Sequence, residues 1–360
     1  MTDRTLQEFV QQINGTGHLR VEYDFGGGFV RLQTSEAERR QAIQDIQCSE
    51  HIVLELLRNA RDAHASHIFV ASSRTDTKRV FTVIDDGEGI PKSMHGHIFE
   101  PRVTSKLDSS HKDAWGLHGR GMALYSISVN SESAYVASSE PQLGTSIRVV
   151  SDTTTLTERA DQSSFPKFEM AEAGKVNVRG PRNILRTVCE FAIECRSSCS
   201  VYIGSPAEIC ASLYQYGSKT LTTVERLFCK DVEGLMLIKR LAACATPREF
   251  AQQAGKLGLE ISERSARRII DGDISPAQPV LDRISIYEAP KVAARPRPHD
   301  ALSDRRSFHL CSDDKQLLVF SLEEAYKTIA AKYYLEPDVK PQVRVSRDKI
   351  LISIPIEKLP

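Results

Sequence analysis

The segment ELLRNARDA, residues 55–63, decides the fold of this chain when it is combined with two later motifs. Apolar residues recur with a helical period across residues 49–63, which predicts a helix. Glu55 and Asn59 lie four residues apart and therefore share one face of that helix. A carboxylate beside an amide suits a water-activating base next to a metal ligand. An amphipathic helix with a solvated glutamate has the same pattern, so this segment is informative only in combination.

The second motif, DDGEGIP at residues 85–91, directly follows a β-rich run. An aspartate that ends a strand, followed by Gly-x-Gly, predicts a turn where the backbone closely approaches another group. Asp85 is a candidate acceptor for an exocyclic amine, and Gly87 and Gly89 would let a flat ring approach the chain. An ordinary strand-ending turn is the alternative interpretation.

The third motif, GLHGRG at residues 116–121, opens a helix predicted at about 119–129. Gly116, Gly119 and Gly121 would leave backbone amides free to face an anion, and a helix N-terminus adds partial positive charge. The glycine order differs from the dinucleotide fingerprint, and no Walker-type Gly-Lys-Ser/Thr follows. The motif therefore predicts a phosphate cradle of another kind. A flexible loop that enters a helix is the alternative.

In this order the motifs resemble the GHKL superfamily of ATP-binding domains. That superfamily includes ATPase subunits of type II topoisomerases, a heat-shock chaperone, MutL and histidine kinases. The resemblance covers about residues 40–150 and includes Gly144-Thr145 before a strand. It implies an α+β fold of the Bergerat type, a two-layer α/β sandwich with a mixed sheet and an ATP site on one face.

The resemblance also implies roles for individual residues. Asn59 would ligate a Mg²⁺ ion that bridges the phosphates of ATP, and Glu55 would activate the attacking water. Asp85 would bind the adenine amino group, with support from Thr145. The other expected nucleotide contacts are Gly87, Gly89, Lys106, Gly116, Gly119 and Gly121. Catalysis would rest on positioning and charge neutralisation.

Glu55 favours hydrolysis over phosphoryl transfer to protein. The segment IFEPRVTSK at residues 98–106 is similar to the lid of histidine kinases, but those proteins usually lack this glutamate. We therefore expect a protein that hydrolyses ATP and that regulates a DNA or protein partner through closure of its lid or through dimerisation. The alternatives are a histidine-kinase-like or anti-sigma-type regulator, and a nucleotide-gated binding module without turnover.

The remaining sequence predicts further segments beyond the ATP-binding domain. A linker with an α/β extension is followed by a helical module, a second linker and a short α/β tail. The predicted boundaries are 1–150, 151–220, 221–285, 286–306 and 307–360. This order is similar to that of the ATP-binding subunit of topoisomerase VI, but the tail is too short for the full transducer domain of that protein.

Residues 257–276, LGLEISERSARRIIDGDISP, contain two helical periods around a turn. Arg264, Arg267 and Arg268 lie near one helix face, which indicates a helix-turn-helix or helix–two-turns–helix unit that binds DNA. A solvated helix with three arginines is the alternative.

The composition limits the classes of protein that this chain can belong to. It has 47 basic and 47 acidic residues and 41% hydrophobic residues, which excludes wholesale disorder and a chain-wide polyelectrolyte binder. No apolar run predicts a membrane span, and the N-terminus has no secretory pattern. Eight cysteines without a CxxC pair indicate reduced thiols, although Cys195 and Cys199 leave a zinc site as an alternative. We therefore expect a cytoplasmic protein without a membrane partner.

Overall fold

The computed structural model of the chain describes residues 21–105, 111–113, 116–118, 121–159, 161–170, 176–222, 232–284, 286–287, 312–345 and 350–357. The chain divides into two compact units, Met1–Ala289 and Pro290–Pro360.

The first unit combines a central sheet with helices on both of its faces. Its strands are β1 (Val21–Gly26), β2 (Phe29–Leu32), β3 (His67–Thr75), β4 (Lys78–Asp85), β5 (Val103–Thr104), β6 (His111–Asp113), β7 (Gly116–His118), β8 (Ser133–Glu140), β9 (Gly144–Asp152), β10 (Lys167–Met170), β11 (Val176–Arg179), β12 (Ser200–Gly204) and β13 (Ile286–Tyr287). Its α-helices are α1 (Glu36–Asp45), α2 (Ser49–Asp62), α3 (Ala123–Val129), α4 (Ile184–Glu194), α5 (Pro206–Thr220), α6 (Pro247–Lys256), α7 (Glu263–Ile270) and α8 (Val280–Arg283). Short 3-10 helices lie at Lys92–Met94, His97–Phe99, Val232–Gly234 and Leu237–Ala243.

The central sheet has the strand order β12-β3-β4-β9-β8. Strand β12 runs parallel to β3, whereas the other neighbours are antiparallel. The mixed sheet and its helices confirm the predicted α+β sandwich, but helices cover both faces of the sheet, so the first unit has three layers rather than the predicted two. Pairing of β4 with β9 sets Asp85 opposite Thr145, so two predicted site residues from separate motifs meet at one end of the sheet.

Helix α2 packs on one face of this sheet. Ile52, Leu56 and Leu57 are at most 2% exposed, and each contributes about 2 kcal/mol by leaving water. They lie in one core cluster with Val70 and Phe81 of the sheet. Because this buried stripe fixes the rotation of α2, the polar residues of the same helix must face away from the core.

Helices that follow β12 cover the opposite face of the sheet. Phe69 and Ile84 pack there in one cluster with Ile209, Leu213 and Phe250 from α5 and α6. The predicted boundary at residue 150 therefore does not separate compact units, because β12 and these helices complete the same sandwich. The predicted helical module at 221–285, where the structure describes it, is a layer on the sheet.

Polar contacts also join the α6–α7 turn to the sheet. The Thr82 hydroxyl donates to the Gly258 carbonyl at 2.8 Å, and the Ser146 hydroxyl donates to the Leu257 carbonyl at 2.7 Å. The Arg148 guanidinium donates to the Gly258 carbonyl at 2.7 Å. Buried hydroxyls are satisfied in this way, so the turn is anchored to β4 and β9.

Five of the cysteines that the structure describes in the first unit are buried, and a sixth, Cys244, is partly exposed. Cys189, Cys195 and Cys199 are buried as free thiols in the core beneath α2 and α4. Across the described ranges, no group of three or more His, Cys, Asp or Glu side chains is arranged to hold a metal ion. In the same ranges, no helix has both the length and the apolar character that crossing a bilayer requires.

The second unit consists of one long helix and a hairpin. Helix α9 (Ser312–Tyr333) is followed by β14 (Gln342–Val345) and β15 (Ile350–Ser353), which pair antiparallel. Tyr326 and Ala330 of the helix are buried with Val339.

Candidate functional site

A cleft lies between α2, the turn after β4, the start of α3 and the beginning of β9. Six predicted site residues line it: Glu55, Asn59, Asp85, Gly89, Gly121 and Thr145. Gly87 lies in the turn beside α2, and Gly116 begins β7. Lys106 and Gly119 lie outside the described residues. Three motifs that are distant in sequence thus share one cleft, and the chemical roles of their residues stay predictions.

Asp85 is a buried carboxyl at one end of the cleft. It is 6% exposed and accepts a hydrogen bond from the Gly87 backbone N–H at 2.8 Å. Burial, and to a smaller extent the neighbouring Asp86 charge, raises the pKa of Asp85 to about 7, although hydrogen bonds from backbone N–H groups lower it. Because its pKa lies close to neutral pH, this carboxyl can accept hydrogen bonds and, when protonated, also donate one.

Thr145 belongs to a small hydroxyl network beside Asp85. The Ser139 hydroxyl donates to the Gly144 carbonyl at 2.9 Å and accepts from the Ile90 backbone N–H at 2.7 Å. Its oxygen lies 3.1 Å from the Thr145 hydroxyl, and either group can donate in that contact. Since the single Ser139 proton is used on Gly144, the Thr145 hydroxyl donates to Ser139. The sequence analysis missed Ser139, because its only signal is its cross-strand pairing with Thr145.

The two adjacent aspartates of the DDG turn have separate functions. Asp85 points into the cleft, whereas Asp86 accepts hydrogen bonds from the backbone N–H groups of Ser66 and His67, both at 2.7 Å. The His67 ring nitrogen Nδ1 lies 2.8 Å from the second Asp86 oxygen. Asp86 therefore fixes the entry to β3 and holds the turn that presents Asp85.

Gly89 and Gly87 are required by close backbone packing. A Cβ on Gly87 would lie 2.5 Å from the Ala63 carbonyl oxygen. Gly89 has φ +73°, and a Cβ there would lie 1.9 Å from the Glu140 carbonyl oxygen. The DxGxG turn is thus packed tightly between the end of α2 and the β8–β9 hairpin. The Asp85 side chain lines the cleft from this turn.

We expect Gly89→Ala to destabilise the protein by more than about 2 kcal/mol, because the backbone must leave the left-handed region and move away from Glu140. Urea unfolding checks this result. Gly96→Ala is the matched control, because no described residue other than its chain neighbours lies within 4 Å of the Cβ position there. Equal unfolding free energies for the two variants would contradict the tight packing of this turn.

Glu55, Arg58 and Asn59 form the opposite end of the cleft. The Arg58 Nη1 atom lies 2.5 Å from the Glu55 Oε1 atom, and these side chains are 7% and 19% exposed. The Asn59 Nδ2 atom is buried and has no hydrogen-bond partner within the described part of the chain. The sequence analysis missed Arg58, although its position three residues after Glu55 is a signal for pairing on a helix.

The spacing along α2 separates the two ends of the cleft. The carbonyl of Ala63 lies against the Gly87 turn, eight residues after Glu55. At 1.5 Å per residue this is about 12 Å of helix. The cleft therefore presents the buried Asp85 carboxyl at one end and the Glu55–Arg58 ion pair at the other.

The charges of the cleft suit a metal–anion complex better than a free anion. Glu55, Asp62, Asp85 and Glu88 line it together with Arg58. A polyanion in such surroundings needs an accompanying cation. An amide oxygen is a suitable ligand for Mg²⁺. The Asn59 Nδ2 atom, which is buried and has no partner in the described part of the chain, is left to donate a hydrogen bond to an anion oxygen. The residues present thus fit a bound Mg²⁺–polyanion complex.

Comparisons with known proteins agree with this location of the site. Residues 44–155 match the family described as "Histidine kinase-, DNA gyrase B-, and HSP90-like ATPase". The chain is also similar to the DNA mismatch repair protein MutL of Staphylococcus aureus, strains Newman and JH1, with 36% identity over 106 residues in each case. That alignment covers 28% of this chain and 15% of the length of each MutL protein.

One solved structure shows a weaker similarity. The crystal structure of full-length ShkA in complex with AMPPNP shares 19% sequence identity and covers 48% of this chain and 32% of that chain. Its TM-score of 0.23 is too low to establish a shared overall fold.

Proposed function

We propose that this protein binds Mg²⁺-ATP, hydrolyses it, and uses lid closure or dimerisation to regulate a DNA or protein partner. The match of residues 44–155 to the family of histidine kinase-, DNA gyrase B- and HSP90-like ATPases supports this proposal. One observation carries the proposal. The buried Asp85 carboxyl lines the same cleft as Asn59, whose Nδ2 atom has no partner in the described part of the chain. The two residues belong to different elements, the end of β4 and helix α2, which suits the purine of a nucleotide near Asp85 and its phosphates near Asn59.

In this proposal the adenine ring lies beside the Gly89 turn. The ionised Asp85 carboxylate accepts a hydrogen bond from the exocyclic amine, and Thr145 supports this end of the cleft. Gly87 lets α2 and the turn approach closely enough to keep the carboxyl buried. Water is excluded from this end, which strengthens the hydrogen bond to the base.

The phosphates lie at the other end, near α2 and the glycine loop. Asn59 would hold Mg²⁺, which supplies charge neutralisation when it is bound. We propose that the phosphates are surrounded by Lys106 and by backbone groups at Gly116, Gly119 and Gly121. Glu55 orients the attacking water and accepts its proton at a carboxylate oxygen.

The Glu55–Arg58 ion pair supports a second candidate function, a nucleotide-gated binding module with negligible turnover. A carboxylate engaged by a guanidinium is a weak proton acceptor. Calorimetric titration with Mg²⁺-ATP and an assay of phosphate release separate the two functions. Binding with turnover supports the ATPase, binding without turnover supports the module, and absence of binding contradicts both.

Phosphoryl transfer to protein is tested in the same preparation. The matched family includes histidine kinases by its description, so labelled ATP should be incubated with the protein alone and with candidate partners. We expect released phosphate and no stable phosphoprotein. Accumulation of a phosphoprotein would instead favour a kinase-like regulator.

Duplex DNA is the proposed macromolecular partner, through helices α6 and α7. Ala266 and Ile269 of α7 are buried, whereas Arg264, Arg267 and Arg268 are exposed. The arginines thus lie on the side of the short helix that faces solvent. A second helix of a helix pair that presents arginines to solvent suits insertion into a DNA groove.

We expect simultaneous Arg264→Ala, Arg267→Ala and Arg268→Ala substitutions to weaken duplex binding and to lower the salt slope by about 2 to 3, as expected for up to three lost phosphate contacts. Fluorescence anisotropy at several salt concentrations measures this change. Arg40→Ala is the control, because Arg40 is exposed on α1, away from this helix pair. The same slope in the triple variant and the wild type would remove α7 from the DNA interface.

A further inference from the structure

Arg58 and Glu55 form a wall between two clefts. Both residues line the nucleotide cleft, and both also line a second, polar cleft on the other side. The second cleft is lined further by His51, Arg159, Arg186 and Glu190. The ion pair therefore has open space on each side, so the guanidinium can move without displacing core residues.

The Glu55–Arg58 pair differs from an ordinary surface pair on a helix. An exposed pair at this spacing stabilises a helix only weakly and exchanges readily with water. Here the side chains are 7% and 19% exposed, so moving the guanidinium away would leave the Glu55 carboxylate without this partner in poorly hydrated surroundings. An anion that competes for the Arg58 guanidinium would therefore release Glu55.

A terminal phosphate is the anion that the site itself would supply. Guanidinium groups bind phosphate oxygens through two parallel hydrogen bonds. Arg58 directly precedes Asn59, the residue at the proposed phosphate end of the cleft. A nucleoside triphosphate brings a terminal phosphate to this end, whereas a diphosphate is one phosphate shorter.

We propose that Arg58 is a positioning residue that restrains Glu55 in the empty site and transfers its guanidinium to the terminal phosphate when a nucleoside triphosphate binds. The transfer frees the Glu55 carboxylate to orient the attacking water. Arg58 thereby couples recognition of the triphosphate to activation of the base. This inference rests on the proposed ATP-binding function.

The test compares a non-hydrolysable ATP analogue, AMPPNP, with ADP by calorimetric titration in the presence of Mg²⁺. We expect Arg58→Ala to weaken AMPPNP binding by about ten- to a hundredfold, which corresponds to loss of a charge-assisted hydrogen bond. The affinity for ADP should stay close to that of the wild type. The affinity of Arg58→Lys for AMPPNP should lie between those of the wild type and Arg58→Ala, because lysine keeps the charge but cannot form two parallel hydrogen bonds.

Glu55→Gln provides the opposite readout at the same pair. Removal of the carboxylate charge releases the Arg58 guanidinium in advance, so AMPPNP should bind more tightly than to the wild type while ADP affinity is unchanged. A merely structural ion pair would not produce opposite shifts in the two variants. If Arg58→Ala does not fold, the lysine and glutamine variants still measure the preference for AMPPNP over ADP.

The possible outcomes separate this inference from the proposed function. An unchanged ratio of AMPPNP to ADP affinity in the Arg58 and Glu55 variants overturns the role of Arg58, even if the wild type binds and hydrolyses ATP. Failure of the wild type to bind either nucleotide would instead contradict the proposed function.

Discussion

Glu55→Gln is expected to lower the rate of ATP hydrolysis by about 10²- to 10⁴-fold, the usual contribution of a positioned general base. Glutamine keeps the size of the side chain and its place on α2, but it cannot accept a proton from water. Nucleotide binding should persist, because Asp85, Asn59 and the glycine turn are unchanged. Phosphate release under saturating Mg²⁺-ATP measures the loss.

Glu88→Gln is the matched control for this experiment. Glu88 also lines the cleft, but its side chain is half-exposed and lies 2.9 Å from His64 at the rim. The same chemical change at that position should leave turnover close to that of the wild type. Equal turnover in Glu55→Gln and Glu88→Gln would remove Glu55 from the hydrolytic step.

Asp85→Asn is expected to weaken ATP binding by about ten- to a hundredfold, because an amide replaces the charged acceptor for the exocyclic amine. Wild-type affinity should also rise between pH 6 and pH 8, since the pKa of Asp85 is raised to about 7 and the ionised form is the better acceptor. In the variant this pH dependence should disappear. Titration with Mg²⁺-ATP at several pH values tests both expectations.

The same substitution predicts a change in the stability of the nucleotide-free protein. The pKa of Asp85 rises from 3.8 to about 7 on folding, so its contribution to stability is complete below about pH 4 and is lost as the pH rises through 7. Relative to the wild type, Asp85→Asn should therefore gain unfolding free energy between pH 4 and pH 8, by at most roughly 4 kcal/mol.

Asp76→Asn, at an exposed position in the β3–β4 turn, is the control for urea unfolding across this pH range. Its unfolding free energy should follow that of the wild type. If Asp85→Asn and the wild type showed the same pH dependence of stability, folding would not raise the pKa of Asp85.

Local sequence patterns predicted the elements of the site that depend on short spacing. Glu55 and Asn59 share a helix face because they are four residues apart, and both line the cleft. Asp85 ends a strand as the DxGxG pattern predicts. The motif order also indicated that Thr145 lies near Asp85, and strand pairing sets these two residues opposite each other.

Features that depend on distant contacts could not be predicted in this way. Strand β12 joins the sheet parallel to β3 after more than a hundred intervening residues, and no local periodicity encodes that pairing. The importance of Ser139 depends on three partners that meet only in the folded hairpin. Arg58 was visible as a helix residue, but its burial beside Glu55 depends on packing around α2.

Docking of α5 and α6 on the second face of the sheet has a consequence for the modularity of the chain. A fragment that ended at residue 150 would uncover Phe69 and Ile84, and β3 would become an edge strand that is paired only with β4. Exposed apolar surface next to an open strand edge promotes aggregation. We therefore expect that the segment with the nucleotide-binding motifs cannot be isolated as a soluble domain, because residues well beyond it cover its apolar surface.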